Sequence, residues 1–447
     1  MNEAVLYFLS FKSYVVLPVL IFLLALLFRI RLRTAVEAAL TLGIGFVGIF
    51  MTFDYFIAVI TPAVQALIQR TGLRLNVLDA GWPPLAAITW SFELAPLLLV
   101  VLMGINVLML LLRWTRTVNI DIWNYWHVIL LAAMVHHARG SVLITLAVSA
   151  AVFILVLKLA EWTAPMVNRF SGMQGICIPH LSGIVHFPIA LLLNNLMDRI
   201  PGLRAIDAKP EAIQRRFGLL GEPMILGLLL GLGLGIGAGY DLKGLTELGV
   251  NFAAVIFILP KMCAVLGHSL IPISEGMKDF IRARFPKLGA TYIGLDVAVL
   301  FGMPSVMVSS LLLIPVALAA AFVLPGVRFI PLGELTNIVV PMAFVAVATG
   351  GNVIRAFLIG IPMIITSLYV ASGMAPFFTA LAAEARYSLP GYDGLFTSFL
   401  DGGNYFRAWV TQLTALNPWA LAALPVAAAL VYHTYRHTRA DAGQINS

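Results

Sequence analysis

A single carboxylate, Asp296, interrupts the apolar run Tyr292-Ile-Gly-Leu-Asp-Val-Ala-Val-Leu-Phe-Gly-Met-Pro304, which also carries two glycines and a proline. A carboxylate in hydrocarbon costs roughly 2.5–3.5 kcal/mol even on lenient insertion scales, so it normally faces a bundle interior, a partner or a substrate path. Asp296 is therefore the first candidate for binding. The stretch Leu78 to Trp90 has the same character: Asp79, then Gly81 and Pro83-Pro84, then a short apolar run with Thr89 and Trp90. Two Gly/Pro-interrupted segments in corresponding halves point to a site near the membrane midplane. Glu93 is the one charge between Pro84 and Leu112 and joins the candidates.

The block Val118-Asn-Ile-Asp-Ile-Trp-Asn-Tyr-Trp-His127 is too polar to face lipid. It reads as a helix start, capped by Asn119 or Asp121, with His127 one or two turns deeper in the core. For His127 an interhelical hydrogen bond and a ligand role stand level. His136, His137 and Arg139 read as an interfacial cluster, with no carboxylate near enough in sequence for a metal site. In Gly175-Ile-Cys-Ile-Pro-His180-Leu-Ser-Gly183 the Pro-His pair between glycines reads as the tip of a re-entrant hairpin, where irregular backbone lines a polar cavity. His180 is the second histidine candidate. Glu222 before Pro223 fits a helix cap better than a ligand, but stays a candidate. Asn352 closes Thr349-Gly-Gly-Asn352 and is the last. Gly43-Ile-Gly-Phe-Val-Gly48 reads as close helix packing rather than a ligand loop.

Isolated Asp, Glu, His, Asn and Thr beside the aromatic faces of Trp82, Trp90 and Trp123 suit a neutral polyhydroxylated solute. An anionic solute would demand Lys or Arg within the membrane, for which Lys261 and Arg355 are available. No Walker loop, zincin helix, nucleophile elbow or Rossmann turn is present, so no catalytic residue, cofactor or metal is expected and any phosphate donor is a separate polypeptide. Cys177 and Cys263 have neither disulfide nor metal spacing and read as buried thiols. A phosphothiolate on Cys177 would be costly so deep in apolar surroundings.

These residues must be held by membrane helices. Of 447 residues 61% are hydrophobic and only 11% charged, with a mean hydropathy of +0.96. Several runs reach the roughly 20 residues that cross hydrocarbon, and none alternates like a barrel strand. The fold class is an all-α integral membrane bundle of about eleven crossings with re-entrant segments. The net charge of +7 lies in short Lys/Arg clusters between apolar runs, as cytoplasmic loops require, which leaves nucleic acid no role. Arg29, Arg31 and Arg33 directly follow the run Tyr14 to Phe28, which places the N-terminus outside and, with an odd count, the C-terminus inside. Spans are expected over residues 38–60, 141–157, 249–271 and 419–432, among others, with an external loop over 61–79. Residues 198–222 read as an amphipathic helix at the cytoplasmic surface or a docking site for a soluble partner. One domain over 1–447 is expected, with weak inverted repeats at about 1–205 and 220–415. Leu78 to Trp90 parallels Leu295 to Ser309, and Asn119 to Met134 parallels Glu334 to Val347, at a spacing near 215.

The chain resembles the galactitol-type IIC components of the bacterial phosphoenolpyruvate-dependent sugar phosphotransferase system (PTS). The motifs that carry the likeness are Gly43 to Ile49, Asp79-Ala-Gly-Trp-Pro83, Val118 to His127, Ile178-Pro-His180, Ile213 to Gly218, Gly221-Glu-Pro223, Gly239 to Gly244 and Ile293-Gly-Leu-Asp296. The resemblance, shared in fold with ascorbate IIC permeases, implies a homodimer in the bacterial cytoplasmic membrane, a scaffold domain, a moving core domain and two hairpins. It implies a polyol substrate touched by His127, His180 and Asp296. The partners implied are a IIB protein that phosphorylates the solute from a phosphocysteine, and a IIA protein behind it. Leu181-Ser-Gly183, Met303-Pro304 and Thr349-Gly-Gly-Asn352 depart from the galactitol pattern beside the expected site. The rival reading is a secondary carrier or facilitator of the same fold.

Overall fold

Helices make up most of the computed structural model, which describes residues 13–72, 76–204, 208, 223–284, 291–387, 389 and 392–445. In chain order they begin with α1 (Ser13–Leu27) and α2 (Leu32–Thr71). After β1 (Val77–Asp79) come α3 (Trp82–Ser91) and α4 (Ala95–Leu111). Then come β2 (Thr117–Asn119), α5 (Ile122–Arg139) and α6 (Val142–Ser171). After β3 (Ile176–Cys177) come α7 (Leu181–Ile184), α8 (Phe187–Met197) and α9 (Pro201–Arg204). The second half holds α10 (Pro223–Ala238), α11 (Leu242–Arg284), β4 (Tyr292–Gly294), a 3₁₀ turn (Val297–Leu300) and α12 (Pro304–Val323). A second 3₁₀ turn (Leu335–Ile338) leads into α13 (Val339–Ala348) and α14 (Val353–Glu384). The chain ends in β5 (Leu395–Thr397), α15 (Tyr405–Thr414), α16 (Pro418–Ala422) and α17 (Leu424–Ile445).

The long α2 and α11 pack along each other with α1 and α10 beside them, and the remaining helices form a second body. Gly48 earns its place by packing: a Cβ there would strike the Met262 side chain on α11. Tyr55 donates to Asn251 across the same seam at 2.6 Å.

Among the described residues five strands of two or three residues sit inside this helical frame. β4 lies between β2 and β3, parallel to both, with Gly294 level with Asn119 and Cys177. β1 pairs in parallel with β5, and Val77 N donates to Arg328 O at 3.2 Å on its other side. Open sheet edges are not tolerated in hydrocarbon, so each needs a partner. Asn106 of α4 covers the β2 edge, donating to Thr117 O at 2.8 Å and accepting from Asn119 N at 3.0 Å. Asn168 of α6 covers the β3 edge, donating to Ile176 O at 2.7 Å and accepting from Gly175 N. Asn106→Ala leaves two buried backbone groups unpaired and should cost about 2–4 kcal/mol. Thermal unfolding in detergent checks this, and a change below about 0.5 kcal/mol would show that the edge is satisfied otherwise.

Three described helices, Val142–Ser171, Pro304–Val323 and Val353–Glu384, are long and apolar enough to cross a membrane. Two bent pairs, Trp82–Ser91 with Ala95–Leu111 at 92° and Tyr405–Thr414 with Pro418–Arg439 at 112°, raise the number to five. That is a membrane helical protein, and these described helices do not by themselves establish eleven crossings. Leu181–Met197, Gly227–Ala238 and Leu335–Ala348 are each shorter than a span. Several expected ends also move. α2 runs through Pro62 to Thr71, where a loop was expected. α6 continues past Leu157 because Lys158 stays inside it, donating to Trp114 O at 2.7 Å and to Glu161 at 2.8 Å. Of the amphipathic segment 198–222, only 198–204 and 208 are described, and Glu222 and the Cys263 side chain lie outside the described residues.

Candidate functional site

Parallel strands in register bring the segments after them to one level. Beyond Asn119, Cys177 and Gly294 the chain turns into helix starts with Asp121, His180 and Asp296 at the position before the first turn. Asp121 accepts from Trp123 N at 2.9 Å, as a cap there should, and Asp296 Oδ1 accepts from Ala298 N at 2.7 Å. The close approach needs glycine: a Cβ on Gly294 would lie 3.0 Å from both Asn119 Cα and Pro179 Cγ.

The other sheet is clamped by Asp79. Its Oδ1 accepts from Phe399 N at 3.0 Å and Gly81 N at 3.3 Å, and its Oδ2 from Gly333 N at 2.8 Å and Glu334 N at 3.2 Å. Four backbone donors account for this buried charge, so Asp79 is an anchor rather than a solute contact. Gly81 has φ +73°, and Gly333 packs so tightly on the Asp79–Gly81 backbone that no Cβ fits. Glu334 is held the same way: its Oε2 accepts from Ser398 Oγ at 2.6 Å, Leu400 N at 2.5 Å and Asp401 N at 3.1 Å.

Between the two sheets lies a cavity of about 450 Å³. His127, His180 and Asp296 all line it. His127 and His180 are 4% and 5% exposed, with Nε2 to Nε2 at 2.8 Å. His180 Nε2 and Asp296 Oδ2 are 3.8 Å apart, too long for a direct hydrogen bond, which leaves the carboxylate oxygen to accept from a solute hydroxyl. One wall is aromatic: Trp82, Trp123 and Trp126 meet edge to face at centroid distances of 5.6, 5.7 and 6.4 Å. Phe46 of α2 closes the cavity from the first helical body. Three polar atoms on lining residues, Trp126 Nε1, His186 Nδ1 and Glu334 Oε1, are buried with no hydrogen-bond partner among the described residues. A donor and an acceptor in need of partners, beside a flat apolar wall, are what a polyol's hydroxyls and C–H faces can satisfy.

Behind His127 stands an ion pair. Arg407, fully buried on α15, donates to Asp401 Oδ1 at 2.9 Å and to the Asp401 carbonyl at 2.9 Å. Its other terminal nitrogen reaches His127 Nδ1 at 2.7 Å and Ser182 Oγ at 2.6 Å, and Ser182 donates to Asp401 at 2.5 Å. Arg407 has only donors, so Nδ1 of a neutral His127 must accept and Nε2 must carry the proton. That proton points at His180 Nε2, which accepts. His180 then carries its own proton on Nδ1 and cannot also accept from Gly183 N, 3.3 Å away. The opposite tautomers would aim an N–H of His127 at Arg407. The pair thus sets which nitrogen of each histidine carries the proton.

Other candidates lie elsewhere. Thr89 is buried and donates to Leu85 O of its own helix at 2.7 Å. Glu93 is exposed at the α3–α4 bend, 3.9 Å from His136. Asn352 caps α14, accepting from Arg355 N at 3.1 Å. None of the three lines the cavity. Trp90 is replaced in the wall by Trp126. Lys261 is exposed over the Phe257 ring, and Arg355 is taken by Asn194, Asp198 and the Leu203 carbonyl. Sequence reasoning missed Glu334, Ser182 and Arg407 as site residues. The available signal for Arg407 was a cation three residues after the Asn404 cap and six after Asp401 in otherwise apolar surroundings.

A family model described as PTS system sugar-specific permease component, EIIC-GAT, matches residues 7–391. A protein described as a permease IIC component of Escherichia coli (strain K12) is 35% identical over 414 residues, 92% of this chain and 94% of its own. A PTS system galactitol-specific EIIC component of the same strain is 34% identical over 404 residues, 90% of this chain and 89% of its own. Its counterpart in Escherichia coli O157:H7 matches to the same extent.

Proposed function

The chain belongs to the EIIC-GAT family of PTS sugar-specific permease components, and from that premise we propose that it carries a galactitol-like polyol through the membrane by alternating access. The polyol sits in the cavity between the two sheets, against the Trp82–Trp123–Trp126 wall. Its hydroxyls donate to Asp296 beside His180 and to Glu334, and accept from Trp126. The observation that carries this reading is a cavity of about 450 Å³, within the roughly 300–1,000 Å³ typical of small-molecule sites, that joins an aromatic face to unpartnered polar atoms. Among the described residues no lysine or arginine lines it, in keeping with a neutral solute. His127 takes part as the link from the site to Arg407.

In the same reading, residues 1–205 and 220–415 are inverted repeats. Supporting this, β4 of the second half inserts between β2 and β3 of the first, while β1 of the first lies between β5 and Arg328 of the second. The body of α1, α2, α10 and α11 is the scaffold and dimer contact, and the second body is the moving core, with eleven crossings in all. The N-terminus lies outside and the C-terminus inside. A IIB protein, recharged by IIA, phosphorylates the polyol at the cytoplasmic face.

Vesicles bearing the protein test this with labelled galactitol. Accumulation as a phosphate ester that requires IIB, IIA and phosphoenolpyruvate is expected. Uptake that continues without them and collapses with the proton gradient would overturn it in favour of a secondary carrier.

A further inference from the structure

A second, apolar cavity of about 750 Å³ opens on the outside of the bundle, between α6 and the α15–α17 corner. On α6 it is lined by Val148, Ala151, Val152 and Leu155, the one-face spacing of a helix. On α17, Leu424, Ala427, Ala428 and Val431 repeat the same spacing. The stripe from Leu424 to Tyr435 is about 17 Å long at 1.5 Å per residue, close to the roughly 15 Å depth of one leaflet.

At Trp162 and Tyr435, whose rings lie 5.0 Å apart, the surface changes character. Both residues also line a neighbouring pocket of about 380 Å³ whose charged members are Arg116, Lys158, Glu161 and Arg439. Glu161 is shared by Lys158 at 2.8 Å and Arg116 at 3.2 Å, so among the described residues three cations face one carboxylate. Arg439 is exposed over the Tyr435 ring at 5.1 Å. An apolar slot one leaflet deep, an aromatic pair at its mouth and surplus positive charge beyond it match the parts of a phospholipid in order.

We propose that this groove and pocket hold one anionic glycerophospholipid, with its phosphate among Arg116, Lys158 and Arg439 and an acyl chain between α6 and α17. The site stands whatever solute the central cavity carries. Phe406, Trp409 and Val410 of α15 also line the groove, so the lipid braces the helix that holds Arg407.

Native mass spectrometry of the detergent-purified protein, titrated with phosphatidylglycerol or with phosphatidylcholine of the same chains, tests the assignment. One phosphatidylglycerol per chain should survive where phosphatidylcholine is stripped. Arg439→Gln alone should weaken retention severalfold, and Lys158→Gln with Arg439→Gln at least tenfold. Ala428→Trp fills the slot without touching a charge and should also lower retention at least tenfold. Arg439→Gln alters an exposed side chain, so it reports even if the other variants unfold. Equal retention of the two lipids, or retention unchanged by Arg439→Gln, overturns the proposal. So does inorganic phosphate stabilising the protein as much as phosphatidylglycerol, which would leave an anion site without a chain. Efficient chain-to-chain crosslinking of Ala428→Cys in membranes would assign the face to a second copy instead.

Discussion

Arg407→Met should lower the unfolding free energy by about 3–5 kcal/mol, because it strands the Asp401 carboxylate in the core without its cation. Arg407 is fully buried, and its two terminal nitrogens reach Asp401, Ser182 and His127. Its removal therefore loosens β5 and α15 from α5 and α7 together and frees the tautomer of His127. Transport should fall to background. Asp401→Asn combined with Arg407→Met removes both charges and should recover part of the stability while leaving transport low, since His127 still lacks its donor. Arg407→Lys keeps the charge but supplies one nitrogen where two separate ones are used, so it should fold better than Arg407→Met and transport little. Melting curves and uptake on the four proteins check this. A loss below about 1 kcal/mol for Arg407→Met would mean that Asp401 finds another partner.

Asp296→Asn should weaken polyol binding by about 10- to 100-fold, the scale of one charge-assisted hydrogen bond of roughly 1.5–3 kcal/mol. Stability should barely change. Asparagine caps a helical turn about as well as aspartate, so the bond from Ala298 N at 2.7 Å is kept. What changes is the second oxygen, 3.8 Å from His180, which becomes an amide donor where a hydroxyl needs an acceptor. Asp296→Ala should lose both cap and affinity. Thermal shift with galactitol separates the two: the Asn variant should melt near wild type without ligand and gain much less from it. Unchanged ligand stabilisation in Asp296→Asn would remove this residue from the site.

Much of the candidate site was legible because hydrocarbon makes polar residues conspicuous. Asp296, His127 and His180 stand out in apolar runs for the reason they converge in space: each needs a polar interior. The cap at Asp121 was legible from the residue type ahead of a helical run. Glu334 and Arg407 carry the same signal but sit beside breaks in the chain, at Gly333 and after Gly402-Gly403, where surface loops were the simpler expectation. Those glycines mark close backbone approach instead. The strands were illegible for another reason, since two or three residues are too few for an alternating pattern to register. Their register brings Asp296 to His180, so the distances in the site could not be read from the sequence. Helix ends drifted where a charge was taken as a boundary. Lys158, taken as the end of a span, remains within α6 because the Trp114 carbonyl accepts from it, and Arg70, expected in a loop, lies in α2 and donates to the Gly237 carbonyl.

The most direct test of the central claim is a structure of the protein determined with galactitol present. Polyol density should lie between the Trp82–Trp123–Trp126 wall and the His180–Asp296 edge, within hydrogen-bonding distance of Glu334 Oε1. An empty cavity in a protein that carries galactitol elsewhere would contradict it.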